Sequence, residues 1–174
     1  MSRPPLQIRP LRADDAIAVS ELAARCFATA YHGLLDPDEI ETRIRSAYQP
    51  AQFAAEIEDS RHRFYGAWQG ERLIAYLYLR QGYLAPVAGV DPALHLFRIY
   101  VDADAQGCGA GRQLMRQAEM DARAQGLARI WLCCLETNVA AIRFYEKLGY
   151  ARVGYSPFRI TTKDRVDIVF VKTL

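Results

Sequence analysis

Long apolar runs are missing from this chain. The longest strongly apolar stretches, Leu73–Leu79 and Ile130–Leu135, fall far short of the ~20 residues that span a bilayer. The opening Met1-Ser2-Arg3-Pro4-Pro5 leads into polar sequence without the apolar core of a signal peptide. Neither a membrane segment nor a membrane partner is expected. Histidine is scarce, with His32, His62 and His95 only, and the four cysteines, Cys26, Cys108, Cys133 and Cys134, make no C-x-x-C pair. Zinc-ligand spacing is therefore absent and no metal is expected. The cysteines read as reduced thiols of a cytoplasmic protein. Charge of one sign is also lacking. Twenty-two Lys and Arg stand against 20 Asp and Glu, a net of +2. There is no dense basic stripe, which speaks against nucleic acid as a partner.

What is present is an ordinary globular composition. The 174 residues are 51% hydrophobic and 24% charged. That is one domain, residues 1–174, able to bury roughly 70% of its unfolded surface without a disulfide or metal staple. Residues 1–60 carry 6 basic and 10 acidic side chains, a mild excess that fits either ordinary surface charge or an acidic pocket.

Periodicity orders the elements. Leu6–Pro10 is extended. Asp14 or Asp15 can cap a helix reaching about Ala30, with Val19, Leu22, Cys26 and Phe27 on its buried face. Asp36-Pro37-Asp38-Glu39 is a helix start: an N-cap, a proline at the first helical position and a capping-box glutamate. That helix carries Ile40 and Ile44 and ends before Pro50. A short helix over Ala51–Glu58 follows. Arg63–Trp68 and Arg72–Arg80 form a hairpin, the second strand showing Leu73, Ala75, Leu77 and Leu79 on one face. Leu94–Val101 is a strand, Gly111 to Gln125 a helix, Arg129–Glu136 a central strand, and Val139–Leu148 a helix. Tyr150–Tyr155 and Val166–Lys172 close the chain as an antiparallel pair. The order predicts an α/β fold with a mixed sheet.

The most informative stretch joins a strand to a helix: Asp102-Ala103-Asp104-Ala105-Gln106-Gly107-Cys108-Gly109-Ala110-Gly111-Arg112. Three glycines at alternate positions strip side chains from the loop, and the amides opening the helix sit at the positive end of its dipole. Arg112 adds a charged donor. The pattern suits a phosphate group. It is not a Walker loop, because Gly-Lys-Ser/Thr is absent. Nor is it a G-x-G-x-x-G dinucleotide turn, because position 112 is Arg.

Gln106-Gly107-Cys108-Gly109-Ala110-Gly111 resembles the Q/R-x-x-G-x-G/A signature of the GNAT superfamily, the GCN5-related N-acetyltransferases. Downstream, Asn138-Val139-Ala140-Ala141-Ile142-Arg143-Phe144-Tyr145-Glu146-Lys147-Leu148-Gly149-Tyr150 is similar to that family's N-x-x-A-x-x-F-Y-E-K-x-G-F block. The resemblance covers about Leu94 to Tyr155. Phe27–Tyr31, Arg98–Val101 and the tail from Phe158 through Asp167-Ile168 to Leu174 resemble PaiA-type polyamine N-acetyltransferases.

The resemblance implies a GNAT fold, in which two splayed parallel strands within a mixed sheet hold acetyl-CoA as cosubstrate. Its pyrophosphate would sit on Gln106, Gly107, Cys108, Gly109, Ala110, Gly111 and Arg112. Its pantetheine arm would pair with the backbone of Ile99, Tyr100 and Val101. Asn138 caps a helix and, by resemblance, also binds the arm. Tyr145 matches the residue that protonates the departing thiolate. Lys147 either touches the adenosine end or is solvated. No base is evident. His95, Glu136 and an ordered water remain alternatives. Phe27, Tyr31 and His32 are candidates to line a small-molecule amine site, with a polyamine such as spermidine or spermine as the first substrate and a small amine, an aminoglycoside or a protein N-terminus as alternatives. Asp36, Asp38, Glu39 and Glu41 could add negative field. A covalent relay through Cys108, Cys133 or Cys134 lacks a paired base. The resemblance also allows a homodimer through the final strands. A CoA-binding regulator without turnover and a nucleotide-binding module are the rival readings.

Overall fold

The computed structural model describes residues 4–158 and 165–174. The opening Met1–Arg3 lies outside the described residues. Seven strands, β1 (Leu6–Pro10), β2 (His62–Gln69), β3 (Arg72–Arg80), β4 (Leu94–Val101), β5 (Arg129–Leu135), β6 (Ala151–Pro157) and β7 (Val166–Thr173), form one sheet. Their order is β1-β2-β3-β4-β5-β7-β6. The closing pair is antiparallel as expected, and β7 inserts between β5 and β6.

Every neighbouring pair is antiparallel except β4 and β5, which run parallel. Their register holds only at Leu94↔Ile130 and His95↔Trp131, after which the two strands separate. The sheet thus opens at its centre. That gap is the feature around which the site is built.

Helices cover both faces. On one side lie α1 (Ala16–Tyr31), α2 (Pro37–Ala47) and α3 (Pro50–Glu58), packed through Val19, Leu22, Phe27 and Phe53 against Phe64, Tyr76 and Tyr78. On the other lie α4 (Ala110–Ala124) and α5 (Val139–Lys147). Leu114, Met115, Ala118 and Ala122 recur along α4 at spacings of one, three and four, and bury against Leu77, Leu94, Ile130 and Leu132.

The sequence signals account for most of these elements. Pro37 opens α2 and Glu39 Oε2 accepts a hydrogen bond from the Asp36 amide at 3.0 Å, the capping box read from the sequence. Two expectations need correction. Asp15 does not cap α1 through its side chain. A short 3₁₀ turn, Ala13–Asp15, precedes the helix. There the carboxylate accepts from the Arg12 amide at 2.9 Å and from both terminal nitrogens of Arg9. The β3 strand does not show one apolar face. All of Leu73–Leu79 is buried, with Leu73 packed on the α1 side while Ala75, Leu77 and Leu79 face α4. A shift of register between Ala67 and Trp68 breaks the alternation.

Candidate active site

Where β4 and β5 part, a cleft of about 820 Å³ opens between Phe97–Val101 on one strand and Cys133 and Cys134 on the other. Thr29, Ala30 and Tyr31 of α1 reach it from one face of the sheet. The turn into α4 and the residues Asn138, Phe144 and Tyr145 reach it from the other.

The glycine turn owes its shape to backbone that other residues resist. Gly107 has φ 83° and Gly109 φ 90°, the left-handed region that disfavours a Cβ. Gly109 is the N-cap of α4, so the first amides of that helix have no intrahelical partner and face the cleft end. Gly111 does different work. A Cβ there would meet the Phe144 ring at 3.3 Å and Val101 Cγ2 at 3.4 Å, so its hydrogen lets α4, α5 and β4 approach one another.

Asp102 ties this turn to the scaffold. Its carboxylate accepts from the Ala103 amide at 3.1 Å, Arg25 Nη2 at 3.1 Å and Arg72 Nη2 at 2.9 Å. Its own amide donates to the Ile74 carbonyl at 2.8 Å. Burial pushes the carboxyl up, but the hydrogen bonds from Arg25 and Arg72 outweigh it and hold Asp102 below the usual carboxylate range.

Asn138 caps α5, its Oδ1 accepting from the Ala141 amide at 3.2 Å. One helical stretch later comes Tyr145, 8% exposed, packed on Tyr150 and Phe170. Burial, followed by the nearby Cys134 thiol and Tyr31 phenol, pushes its hydroxyl well above the ordinary phenol value. It therefore stays protonated throughout the neutral range.

Of the residues singled out in the sequence, Ile99, Tyr100, Val101, Gln106, Gly107, Gly109, Ala110, Gly111, Arg112, Asn138, Tyr145 and Tyr31 line this one cleft. Others do not. Cys108 packs on the α4-side core. Lys147 lines a separate cavity of about 300 Å³ with Arg112, Arg116 and Lys172. Phe27 is fully buried under Tyr31, ring centroids 4.5 Å apart, and His32 is exposed outside the cleft lining.

The two side chains weighed as bases are also elsewhere. His95 sits at the paired end of β4 and β5, its ring flat on Trp131 at 3.7 Å with a 2° interplanar angle. Burial, aided by the Arg80 charge, lowers its pKa to about 3. Glu136 is exposed beyond the end of β5 and outside the cleft lining. None of Asp36, Asp38, Glu39 and Glu41 lines the cleft. Glu39 pairs with Arg165 at 3.0 Å, Glu41 pairs with Arg45, and Asp36 opens the helix. Burial pushes the Cys133 and Cys134 thiols up to about 12, with Asp167 adding to both, so both remain thiols and poor nucleophiles.

Two residues that the sequence analysis quoted only as part of a resemblance were given no role in the site. Arg98 lines the cleft, with its guanidinium over the rings of Phe97 at 4.6 Å and Tyr48 at 4.7 Å. Its Nη1 is buried without a hydrogen-bond partner among the described residues. Asp167 on β7 is half-buried, and burial alone raises its carboxyl to about 7. A charged residue amid Val166–Val171 was the available signal.

The family model described as "Acetyltransferase (GNAT) family" matches residues 19–150. The [ribosomal protein bS18]-alanine N-acetyltransferase of Escherichia coli is 33% identical over 131 residues, covering 68% of this chain and 86% of that protein. An uncharacterised N-acetyltransferase of Mycobacterium tuberculosis is 29% identical over 160 residues, 92% of this chain and 98% of that one. Among solved structures, the PaiA N-acetyltransferase of Thermoplasma acidophilum in complex with coenzyme A superposes with a TM-score of 0.82 at 23% identity, over 98% of this chain and 99% of that one.

Proposed function

Because the chain belongs to the GNAT acetyltransferase family and is an acetyl-CoA-dependent N-acetyltransferase, we propose that one domain carries out direct attack of a primary amine on the thioester, with Tyr145 as the general acid. The observation that carries this reading is the meeting of three parts at one opening. They are the glycine turn at the start of α4, the unpaired stretch of β4, and the Tyr145 phenol.

Each part has a physical task. The amides of Gly109 to Arg112 and the Arg112 side chain suit the pyrophosphate of acetyl-CoA. Arg112 also borders the basic cavity that holds Lys147, a fitting place for the adenosine phosphate end. Beyond His95 the β4 backbone has no strand partner on its β5 side, so Ile99, Tyr100 and Val101 can pair with the pantetheine arm as a sheet neighbour would. A β4 amide there can also polarise the thioester carbonyl. Asn138 caps α5 and can reach the same arm. When the C–S bond breaks, Tyr145 gives its proton to the leaving sulfur. The low-dielectric surroundings that raise the phenol raise a buried thiolate too, so the transfer remains matched.

For the acceptor, a polyamine such as spermidine or spermine is our first candidate. The aromatic faces of Tyr31, Phe97 and Tyr100 at the cleft suit an alkylammonium. The buried Arg98 charge acts against a second ammonium close by. A protein N-terminus is the second candidate, favoured by the 33% identity to the bS18-alanine enzyme. The test is CoA thiol release from acetyl-CoA against spermidine, spermine, amino acids, an aminoglycoside and a peptide beginning with alanine, in wild type and Tyr145→Phe. Amine-dependent release that falls at least ~tenfold in the variant, with CoA affinity retained, supports the reaction and the acid. Release unaffected by the substitution removes Tyr145 from the role. CoA binding without release from any amine favours a regulator.

A further inference from the structure

The acetyl-transfer reading lacks a group to take the proton of the acceptor's ammonium. A protonated amine has no lone pair, so this is a chemical necessity. The register of the sheet shows where such a group stands. On β5, Trp131, Cys133 and Leu135 point to the α1 face, where Leu135 joins the cluster around Phe27 and Trp131 joins Val169 and Val171. On β7, Asp167 pairs with Leu135, and Val169 pairs with Cys133. Asp167 therefore lies on the α1 face, two register pairs further along from the cleft residue Cys133, beyond the point where β4 has left β5. The glycine turn and Tyr145 come from the opposite, α4–α5 face.

The surroundings of Asp167 agree with that placement. Asp167 is not itself among the cleft-lining residues, but after burial its charge is among the groups that raise Tyr31 of α1 and Cys133 and Cys134 of β5, all three of which line the cleft. Tyr31 in turn packs on Phe158 with ring centroids 6.3 Å apart. Across the sheet Asp167 pairs with Ser156 of β6, which does not titrate. Two residues earlier, just before β7, Arg165 is occupied by Glu39 of α2 at 3.0 Å. Among the described residues Asp167 accepts no hydrogen bond and makes no ion pair; burial alone raises it to about 7. A half-buried carboxylate without a cation is costly unless a ligand supplies one.

We propose that Asp167 is the carboxylate that receives the acceptor's ammonium on the α1 face and takes its first proton. The proton moves from nitrogen to the carboxylate, leaving a neutral amine and a carboxylic acid. The nitrogen lone pair forms the C–N bond to the thioester carbonyl, the C–S bond breaks, and Tyr145 protonates the sulfur. The second nitrogen proton replaces the one Tyr145 gave, and Asp167 releases its proton to solvent. An aliphatic primary ammonium is the acceptor group this carboxylate fits. The assignment rests on the acetyltransferase reading.

Asp167→Asn tests it. With the best amine of the panel, kcat/KM at pH 7.5 should fall by at least ~100-fold, the lower range for a lost general base. The acid limb of the kcat/KM profile near pH 7 should vanish, and CoA affinity should stay within about twofold. An unchanged acid limb in the variant, or activity within about fivefold of wild type, overturns the assignment. If Asp167→Asn loses CoA binding, Asp167→Glu decides. It should keep the acid limb at a shifted position, and a flat profile overturns the proposal. Turnover by the wild type is judged separately. Should no amine release thiol, the acetyl-transfer reading fails on its own account. The carboxyl is then followed by infrared difference between wild type and Asp167→Asn with CoA bound. Titration near 4 rather than near 7 would overturn the Asp167 assignment, whereas titration near 7 that shifts down on adding spermidine would uphold it.

Discussion

Acid should unfold this protein in part through one histidine, and the size of the effect can be worked out. His95 is 7% exposed, stacked on Trp131, with Nδ1 buried and without a hydrogen-bond partner. Burial first, and the Arg80 charge second, lower its pKa from 6.5 to about 3. Between those values the unfolded chain binds a proton at this site and the folded chain does not. The stability contributed by the neutral ring is thus full above 6.5 and is lost as pH falls toward 3. At pH 5, 1.5 units below the unfolded value and 1.36 kcal/mol per unit, the loss is about 2 kcal/mol.

His95→Phe removes this dependence and keeps an aromatic ring against Trp131. Guanidinium unfolding of both proteins at pH 7.5 and pH 5.0 gives two differences in stability. The one at pH 5.0 should favour the phenylalanine by about 2 kcal/mol more than the one at pH 7.5, about 4–8 °C in melting temperature for a chain of this size. Asp167 acts in the opposite direction, since a raised carboxyl gains stability as pH falls from 7, but it is present in both proteins and cancels in the comparison. A difference that is the same at both pH values would refute the reasoning, and with it the account of His95 as a neutral packing residue that takes no part in proton transfer.

Gly109→Ala puts a Cβ on a residue at φ 90° with nothing within 4 Å of the new atom. The cost is pure backbone strain of about 1–2 kcal/mol, and thermal unfolding together with CoA titration should show lower stability and weaker CoA binding at once. Asn138→Ala removes the bond to the Ala141 amide and should cost about 1 kcal/mol in chemical denaturation. Asn138→Ser should restore most of the stability, so any CoA affinity still missing in that variant measures contact with the cosubstrate rather than the cap.

The sequence disclosed the glycine-turn side of the cleft far better than the α1 side, for a physical reason. The turn into α4 takes positive φ at Gly107 and Gly109, and only glycine meets that cheaply. The demand leaves a mark in adjacent positions of one segment. Asn138 and the α2 capping box are local in the same way, and both are where periodicity put them. The α1 side of the cleft is assembled from α1, β4 and β5, residues as far apart as Tyr31 and Cys134. Nothing in a linear pattern reports that β7 inserts beside β5 and so brings Asp167 level with Leu135. The same limit explains His95. A histidine at a strand start looks like a base until the register places it at the paired end, pressed on Trp131.

That register also explains why the cleft opens where it does. A continuous sheet would keep the α1 face and the α4–α5 face apart by the thickness of a strand layer. Here β4 and β5 share two register pairs and then part, so groups from opposite faces come within electrostatic reach. The Tyr145 phenol on α5 feels Tyr31 on α1, and both feel Cys134 between them. In the reaction proposed above, donor and acceptor would approach from opposite sides and meet in this gap. Asp102 keeps the gap in place. It links the end of β4 to Arg25 of α1 and Arg72 of β3, fixing the glycine turn to the α1 side of the sheet. Positioning of this kind, rather than a strongly activated side chain, is what a thioester and a neutral amine require, since the thioester is already reactive and the remaining barrier lies in alignment and proton removal.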